Sequence, residues 1–170
     1  MKDSLLMRAR LALSDREISA AIKTGQLQIR PRVTRLNPAG ADLSIDRDLM
    51  LKPGEQTLAA SIERVELSEN ILGILHIRSS LAREGVIASL ALVDPGFRGQ
   101  LTVSLYNAGD RQVKLRKGER FIQLSLLRLG RRATQGYSGR YQDSRGVVTS
   151  RRKKIARPRE KESVIQGIRG

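Results

Sequence analysis

Leu101-Thr102-Val103-Ser104-Leu105-Tyr106 alternates apolar and polar residues without a break and places Leu101, Val103 and Leu105 on one face. A period of two marks a half-buried strand, because successive side chains of a strand point to opposite faces of its sheet. Asn107-Ala108-Gly109-Asp110 then supplies turn residues. Val113 and Leu115 begin a further strand, Lys117-Gly118 turns it, and Phe121 to Leu129 completes the series. The same texture extends upstream. Leu43 and Ile45 alternate with polar residues, Thr57 to Leu67 reads as a strand pair or meander, Ile71 to Ile77 as a buried apolar strand, and Val86 to Val93 as another. Short strands separated by turns predict an all-β sandwich, jelly roll or closed barrel.

The N-terminal region differs. Ser14-Asp15-Arg16-Glu17 is a capping box, in which the Ser14 hydroxyl accepts from the Glu17 amide and the Glu17 carboxylate reaches back. Ile18, Ala21 and Ile22 follow on one helical face and Gly25 ends it, so one short helix is predicted over roughly 15–24. Leu27 to Pro31 then alternates like a strand that stops at proline. From Gly130 the chain becomes rich in Arg, Gly and Ser, and an arm from Gly136 to Ser150 leads into a basic terminus. Two regions are therefore expected, a domain over 1–150 and a basic, disordered tail over 151–170.

Composition narrows the chemistry. The 170 residues contain no cysteine and a single histidine, His76. Thiolate catalysis, disulfides and a zinc site built on several His or Cys ligands are thereby excluded within one chain, as is the His/Cys/Cys zinc of cytidine deaminases. No metal ligands are expected from the protein itself. The net charge is +15, and the last twenty residues hold eight Lys/Arg against two Glu, or +6. Such a balance favours polyanionic partners, and the tail is equally well read as a solubilising terminus or as a nucleic-acid contact. No apolar run reaches the roughly 18 residues of a membrane span, and the N-terminus lacks a clean signal-peptide core, so a cytoplasmic protein is expected.

Four segments at predicted strand ends carry the functional signal: Ala39-Gly40-Ala41-Asp42-Leu43, Arg78-Ser79-Ser80-Leu81-Ala82-Arg83, Val93-Asp94-Pro95-Gly96-Phe97-Arg98-Gly99 and Gly118-Glu119-Arg120-Phe121-Ile122-Gln123. A guanidinium, two hydroxyls and clustered amides suit phosphate oxygens, although taken alone the Arg-Ser-Ser run is better read as a helix or turn N-cap with surface arginines. In the third segment Pro95 fixes φ and Gly96 permits a positive φ. Asp94 closes an apolar strand, where a carboxylate is costly unless used or paired, and Phe97 offers a flat apolar surface. An Asx-turn that caps the Pro-Gly corner accounts for Asp94 as well. Gln123 lies in the strand after the Lys117-Gly118 turn.

In this order the four segments resemble the motif series of trimeric dUTPases and dCTP deaminases, and the resemblance spans roughly residues 12–151. Leu13-Ser14-Asp15-Arg16-Glu17-Ile18 is similar to the helix start of the deaminase branch. Gly139-Arg140-Tyr141-Gln142-Asp143-Ser144-Arg145-Gly146, closing at Ser150-Arg151, is similar to its C-terminal arm. The resemblance implies an all-β fold, a dUTPase-like β-clip or jelly-roll barrel with one short N-terminal helix and a C-terminal arm. It implies a homotrimer with sites between subunits and a deoxypyrimidine nucleoside triphosphate as ligand, over which the arm closes. Mg²⁺ would be bound through the substrate phosphates. Arg78, Ser79 and Ser80 would hold phosphates, Arg83 would bind substrate beside them, Gln123 would reach the phosphates across the interface, and Phe97 would pack on the deoxyribose. Ala88 and Ser89 would lie at the base, and Tyr141 and Arg145 would contact substrate from the arm.

The chain departs from both branches. The deaminase glutamate, two residues before a Tyr-Asn pair, falls on Ser104, which cannot shuttle a proton near neutral pH. The Ala-His-Arg-like triplet before the aspartate is replaced by Leu90-Ala91-Leu92, and Glu84 is the nearby acid in sequence. Serine at that position is similar to dUTPases, in which the residue matching Asp94 activates or orients water. The dUTPase uracil-reading asparagine instead falls near Ala88 or Ser89, and the Gly-Gly-Phe-Gly arm motif is absent. The first expectation is hydrolysis of dUTP to dUMP and pyrophosphate with Asp94 as catalytic residue. The others are dCTP deamination with a rearranged proton shuttle, and an inactive nucleotide-sensing or nucleic-acid-binding protein.

Overall fold

The computed structural model describes residues 11–33 and 35–152. Helix α1, Asp15–Lys23, carries both halves of the capping box and ends at Thr24 and Gly25, whose φ is +73°. Ile18 and Ala21 face the core, whereas Ile22 is largely exposed. The strands are β1 (Leu27–Arg30), β2 (Leu36–Asn37), β3 (Gly40–Ser44), β4 (Leu49–Leu51), β5 (Gln56–Leu67), β6 (Ile71–Ile77), β7 (Val86–Ser89), β8 (Leu92–Val93), β9 (Arg98–Asn107), β10 (Val113–Leu115) and β11 (Arg120–Arg128). They form a four-stranded sheet in the order β1-β5-β9-β7, a five-stranded sheet in the order β2-β3-β11-β6-β8, and a two-stranded pair of β10 with β4. The described pairings are antiparallel, apart from an isolated parallel bridge between Gly99 and Ser144. The expected all-β class holds.

One core joins the layers. Leu101, Val103 and Leu105 of β9 turn inward as the alternation predicted, and meet Leu43, Ile45, Ile122 and Leu124 in the same buried cluster. Phe121 is the large aromatic at its centre and has no exposed surface. Burying a side chain of this kind contributes about 1.5–3 kcal/mol, so an aliphatic core of this extent holds the domain without disulfides.

Four readings need correction. Thr57 to Leu67 is one long strand, not a pair: its period slips because extra residues are accommodated between Ala60 and Arg64 against β9. The Ser61 hydroxyl holds this bulge, donating to the Glu63 carbonyl at 2.7 Å and accepting from the Leu101 amide at 3.0 Å. Val86 to Val93 is two strands, because the chain leaves one sheet after Ser89 and joins the other at Leu92. Ile71 to Ile77 is buried on one face, through Ile71, Gly73 and Leu75, while His76 is exposed and Leu72 and Ile74 are half-buried. A second helix, α2, covers Ser79–Arg83. The Arg-Ser-Ser run thus begins a helical turn anchored by Leu81.

Candidate functional site

A cleft of about 530 Å³ opens between β9, the Asp94–Phe97 turn and the arm after β11. The turn has the geometry its residues require. The Phe97 amide donates to the Asp94 carbonyl at 3.1 Å, Pro95 stands at the second position and Gly96, at φ +82°, at the third. This is a type II turn. The sheet switch at Leu90-Ala91 delivers Ser89, Ala91 and Leu92 to the same opening. Ser104 and Thr102 rise from the outward face of β9, and Ser89 lies opposite Ser104 in the ladder.

Asp94 is the single carboxylate among the lining residues. It is exposed, and its side chain has no hydrogen-bond or ion-pair partner among the described residues. The expected desolvation at the end of an apolar strand is therefore absent: the sheet stops at Val93 and the carboxylate projects into the open cleft. The Asx-turn alternative does not apply either, because the carbonyl rather than the side chain closes the turn. Phe97 is 8 % exposed and meets Tyr137 edge-on, with ring centroids 5.6 Å apart. The Ser104 hydroxyl accepts from the Gln56 side-chain amide at 2.6 Å. Glu84, at the C-terminal end of α2, lines a separate groove with Arg83, Gly109, Asp110 and Arg111 and does not enter this cleft.

The arm forms the far wall. The Tyr137 amide donates to the Pro95 carbonyl at 2.8 Å, and the Gln142 side chain bridges the Gly96 carbonyl and the Arg98 amide. The Gln100 amide donates to the Ser144 carbonyl, and the Val148 amide to the Thr102 hydroxyl at 3.1 Å. Asp143, at φ +59°, accepts from Arg98 at 2.8 Å and Arg64 at 2.9 Å. These bonds, that to Arg98 foremost, pull its carboxyl down to about 2 and raise the Arg98 guanidinium. Tyr141 lines the cleft with the Arg151 guanidinium over its ring, while Arg145 is exposed away from it.

The sequence-derived residues thus fall into two groups. Asp94, Phe97, Ser89 and Tyr141 line one cleft, with Ala88 half-buried beside Ser89. Arg78, Ser79, Ser80 and Arg83 lie on or beside α2, and Gln123 lies on β11; none of these lines the cleft of its own chain. Arg78 is engaged: with Arg120 it contacts the Asp42 carboxylate, which is buried in β3. Thr102, Gln100 and Tyr137 of the cleft, and Asp42 and Arg120 of the cationic group, were not assigned roles from sequence. Asp42 offered a signal, since a carboxylate between Ala41 and Leu43 of a core strand must be paired. No group of three His, Asp or Glu side chains suited to a metal ion occurs among the described residues, and no described helix is long and apolar enough to cross a membrane. The basic segment 153–170 lies outside the described residues.

Comparison with known proteins agrees with this architecture. A family model described as dCTP deaminase-like matches residues 44–129. A dCTP deaminase of Pyrococcus furiosus is 44 % identical over 135 residues, covering 71 % of this chain and 86 % of that protein. A protein of Sulfolobus islandicus rod-shaped virus 1, named as a probable deoxyuridine 5'-triphosphate nucleotidohydrolase, is 31 % identical, covering 83 % of this chain and 99 % of the viral one. The fold is shared with the EIAV dUTPase, at a TM-score of 0.55 and 24 % identity, covering 67 % of this chain and 98 % of that one.

Proposed function

The chain belongs to the dCTP deaminase-like family, and from that premise we propose that it hydrolyses dUTP to dUMP and pyrophosphate. The observation that carries this reading is the unpartnered Asp94 carboxylate in a cleft whose β9 wall offers Ser104 where a deaminase would need an acid. Asp94 orients a water and accepts its proton as the oxygen attacks the α-phosphorus. The bond from that phosphorus to the bridging oxygen breaks, and pyrophosphate leaves with the bonding pair. Phe97 and Tyr137 give the sugar an apolar wall, and Ser89 and the backbone of β7 lie where the base enters.

Such chemistry rests on positioning and on neutralising charge on the transferring phosphoryl group. Mg²⁺ bound to the triphosphate supplies part of that charge. The protein side fits an ion that arrives on the phosphates, because Asp94 is a lone, free carboxylate and not one of a ligand cluster. The two residue groups lie on different parts of one chain, which supports a homotrimer in which Arg78, Ser79, Ser80 and Gln123 of one subunit face the Asp94 cleft of the next. Exposed Leu92 and half-buried Leu72, Ile74 and Leu127 on the five-stranded sheet offer the apolar surface such packing needs.

The test is a product assay with dUTP, dCTP, dTTP and UTP in Mg²⁺. Pyrophosphate from dUTP without ammonia from dCTP is expected. Ammonia from dCTP would instead support deamination, the reading favoured by the 44 % identity to a dCTP deaminase; a group other than Ser104 would then carry the proton.

A further inference from the structure

The outward face of β9 sets Gln100, Thr102 and Ser104 in a row along one wall of the cleft. Two of the three are spent on the protein itself. The Gln100 side-chain amide donates to the Ser61 and Ile62 carbonyls at 2.8 and 3.0 Å, and its oxygen accepts from the Gly146 amide at 2.7 Å. The Thr102 hydroxyl donates to the Gly146 carbonyl at 3.3 Å and accepts from the Val148 amide at 3.1 Å. Ser104 differs. Its hydroxyl accepts from the Gln56 side-chain nitrogen at 2.6 Å, and no acceptor for its own proton occurs among the described residues. A hydroxyl carries one proton and two lone pairs. With a lone pair engaged by Gln56, the O–H points away from Gln56 and into the cleft.

The strand ladder holds this pair in place. Gln56 opens β5 and stands across from Tyr106, and Leu58 stands across from Ser104. Gln56 therefore meets Ser104 along the diagonal of one sheet face, a separation that a long side chain spans. Its backbone is pinned on the N-terminal side, where the Gly54 amide donates to the Asn107 carbonyl at 2.8 Å and the Asn107 amide to the Glu55 carbonyl at 3.1 Å. On the other flank of β9, Ser89 faces Ser104 and Ile87 faces Tyr106. Leu58, Ser89 and Ser104 all line the cleft. The fixed O–H thus lies beside Ser89, at the end of the cleft assigned above to the base.

We propose that the Gln56–Ser104 pair sets the base preference: Ser104 donates to an exocyclic carbonyl oxygen of the base, and Gln56 is the positioning residue that fixes the direction of that hydroxyl. Uracil presents a carbonyl acceptor on this edge and completes the bond. Cytosine presents an amino group there, so two donors face each other and both give up water without gaining a partner. A site that leaves desolvated polar groups unpaired rejects the wrong ligand more strongly than one that only loses an apolar contact. The inference rests on the proposed dUTP substrate and adds to it the residues that read the base and the polarity of their reading.

Affinities of the intact protein for the α,β-imido analogues of dUTP and dCTP, which resist cleavage, measured by calorimetry in Mg²⁺, test the pair. The unmodified protein is expected to favour the dUTP analogue by about ten- to a hundred-fold. Ser104→Ala should remove most of that ratio by weakening the dUTP analogue, with the dCTP analogue changed little. Gln56→Leu, which frees the hydroxyl to rotate, should lower the ratio by a smaller factor. Gln56→Glu is the decisive variant: its carboxylate takes the Ser104 proton as acceptor, turns the lone pairs to the cleft and should reverse the preference towards the dCTP analogue. Gln56 is exposed, so these substitutions leave the core intact. Equal affinity for the two analogues in the unmodified protein, an unchanged ratio in Ser104→Ala, or equal weakening of both analogues in Gln56→Glu would overturn the proposal. A ratio that depends on Ser104, in a protein that cleaves no dUTP, would sustain the base reading and defeat the hydrolase reading. Cleavage of dUTP with a ratio indifferent to Ser104 would do the reverse.

Discussion

The cleft under the arm and the guanidinium group around Asp42 are built on opposite principles. In the cleft the carboxylate, Asp94, is exposed and free, and the surrounding wall is apolar or neutral. In the other group the carboxylate is buried and saturated, and the exposed groups are cations. A free carboxylate can accept a proton; a saturated one can only hold its partners in place. The contrast separates a region suited to bond-breaking from a region suited to holding charge, and explains why one chain presents both without bringing them together.

The sharpest way to break this division is complementation. Asp94→Asn and Arg78→Ala should each lower dUTP turnover by at least about a hundred-fold. Subunits of the two variants, refolded together, should recover measurable activity, because some interfaces then combine an intact cleft with an intact cationic group. No recovery would place both groups in one chain's site and remove the trimeric arrangement. Stability gives the next largest effect. Phe97→Ala should cost about 3 kcal/mol, read as a lower Tm, since it empties a buried position that also supports Tyr137.

Smaller effects should be confined to the arm. At Gly96 a Cβ would stand 2.7 Å from the Gly136 Cα, and the φ of +82° is itself unfavourable for other residues. Gly96→Ala should cost about 1–2 kcal/mol and expose Arg140 and Arg151 to trypsin, while the domain stays folded. Least of all, Asp143→Asn should loosen the arm modestly, since the ion pairs with Arg98 and Arg64 are solvent-exposed. The Asp143 carboxyl is lowered from 3.8 to about 2 by folding, so its contribution is complete above the unfolded value and lost as pH falls through about 2. Trypsin cannot follow that range, but acid-stable pepsin cleavage of the arm should accelerate between those values in the native protein and not in Asp143→Asn.

Much of the cleft was legible because its determinants are local. Asp-Pro-Gly-Phe encodes a type II turn within four residues, and that turn sets Asp94 and Phe97 side by side. The exposure of Asp94 was not legible, since it depends on where the sheet ends and where the arm lies. The Arg-Ser-Ser segment was read as the N-cap of a helix or a turn, and the choice was not legible, because five residues give no readable helical period and α2 is held by Leu81 in the core. Arg120 was assigned no role, because alternation counted back from Gln123 turns it toward the core, and the bulge that brings it to the face of Asp42 cannot be read from the sequence.

By itself the sequence determined the β class, the capped helix and the turn that carries Asp94. Each follows from period, cap chemistry or allowed φ, which act over a few residues whatever the rest of the chain does. Only the tertiary structure decided the sheet change between Ser89 and Leu92, the docking of the arm on β9 and the Arg78–Asp42–Arg120 group. In that group Asp42 meets partners 36 and 78 positions away. Contacts at such separation depend on register and bulges summed across several strands, and a slip of one residue anywhere along them turns a side chain to the other face of the sheet.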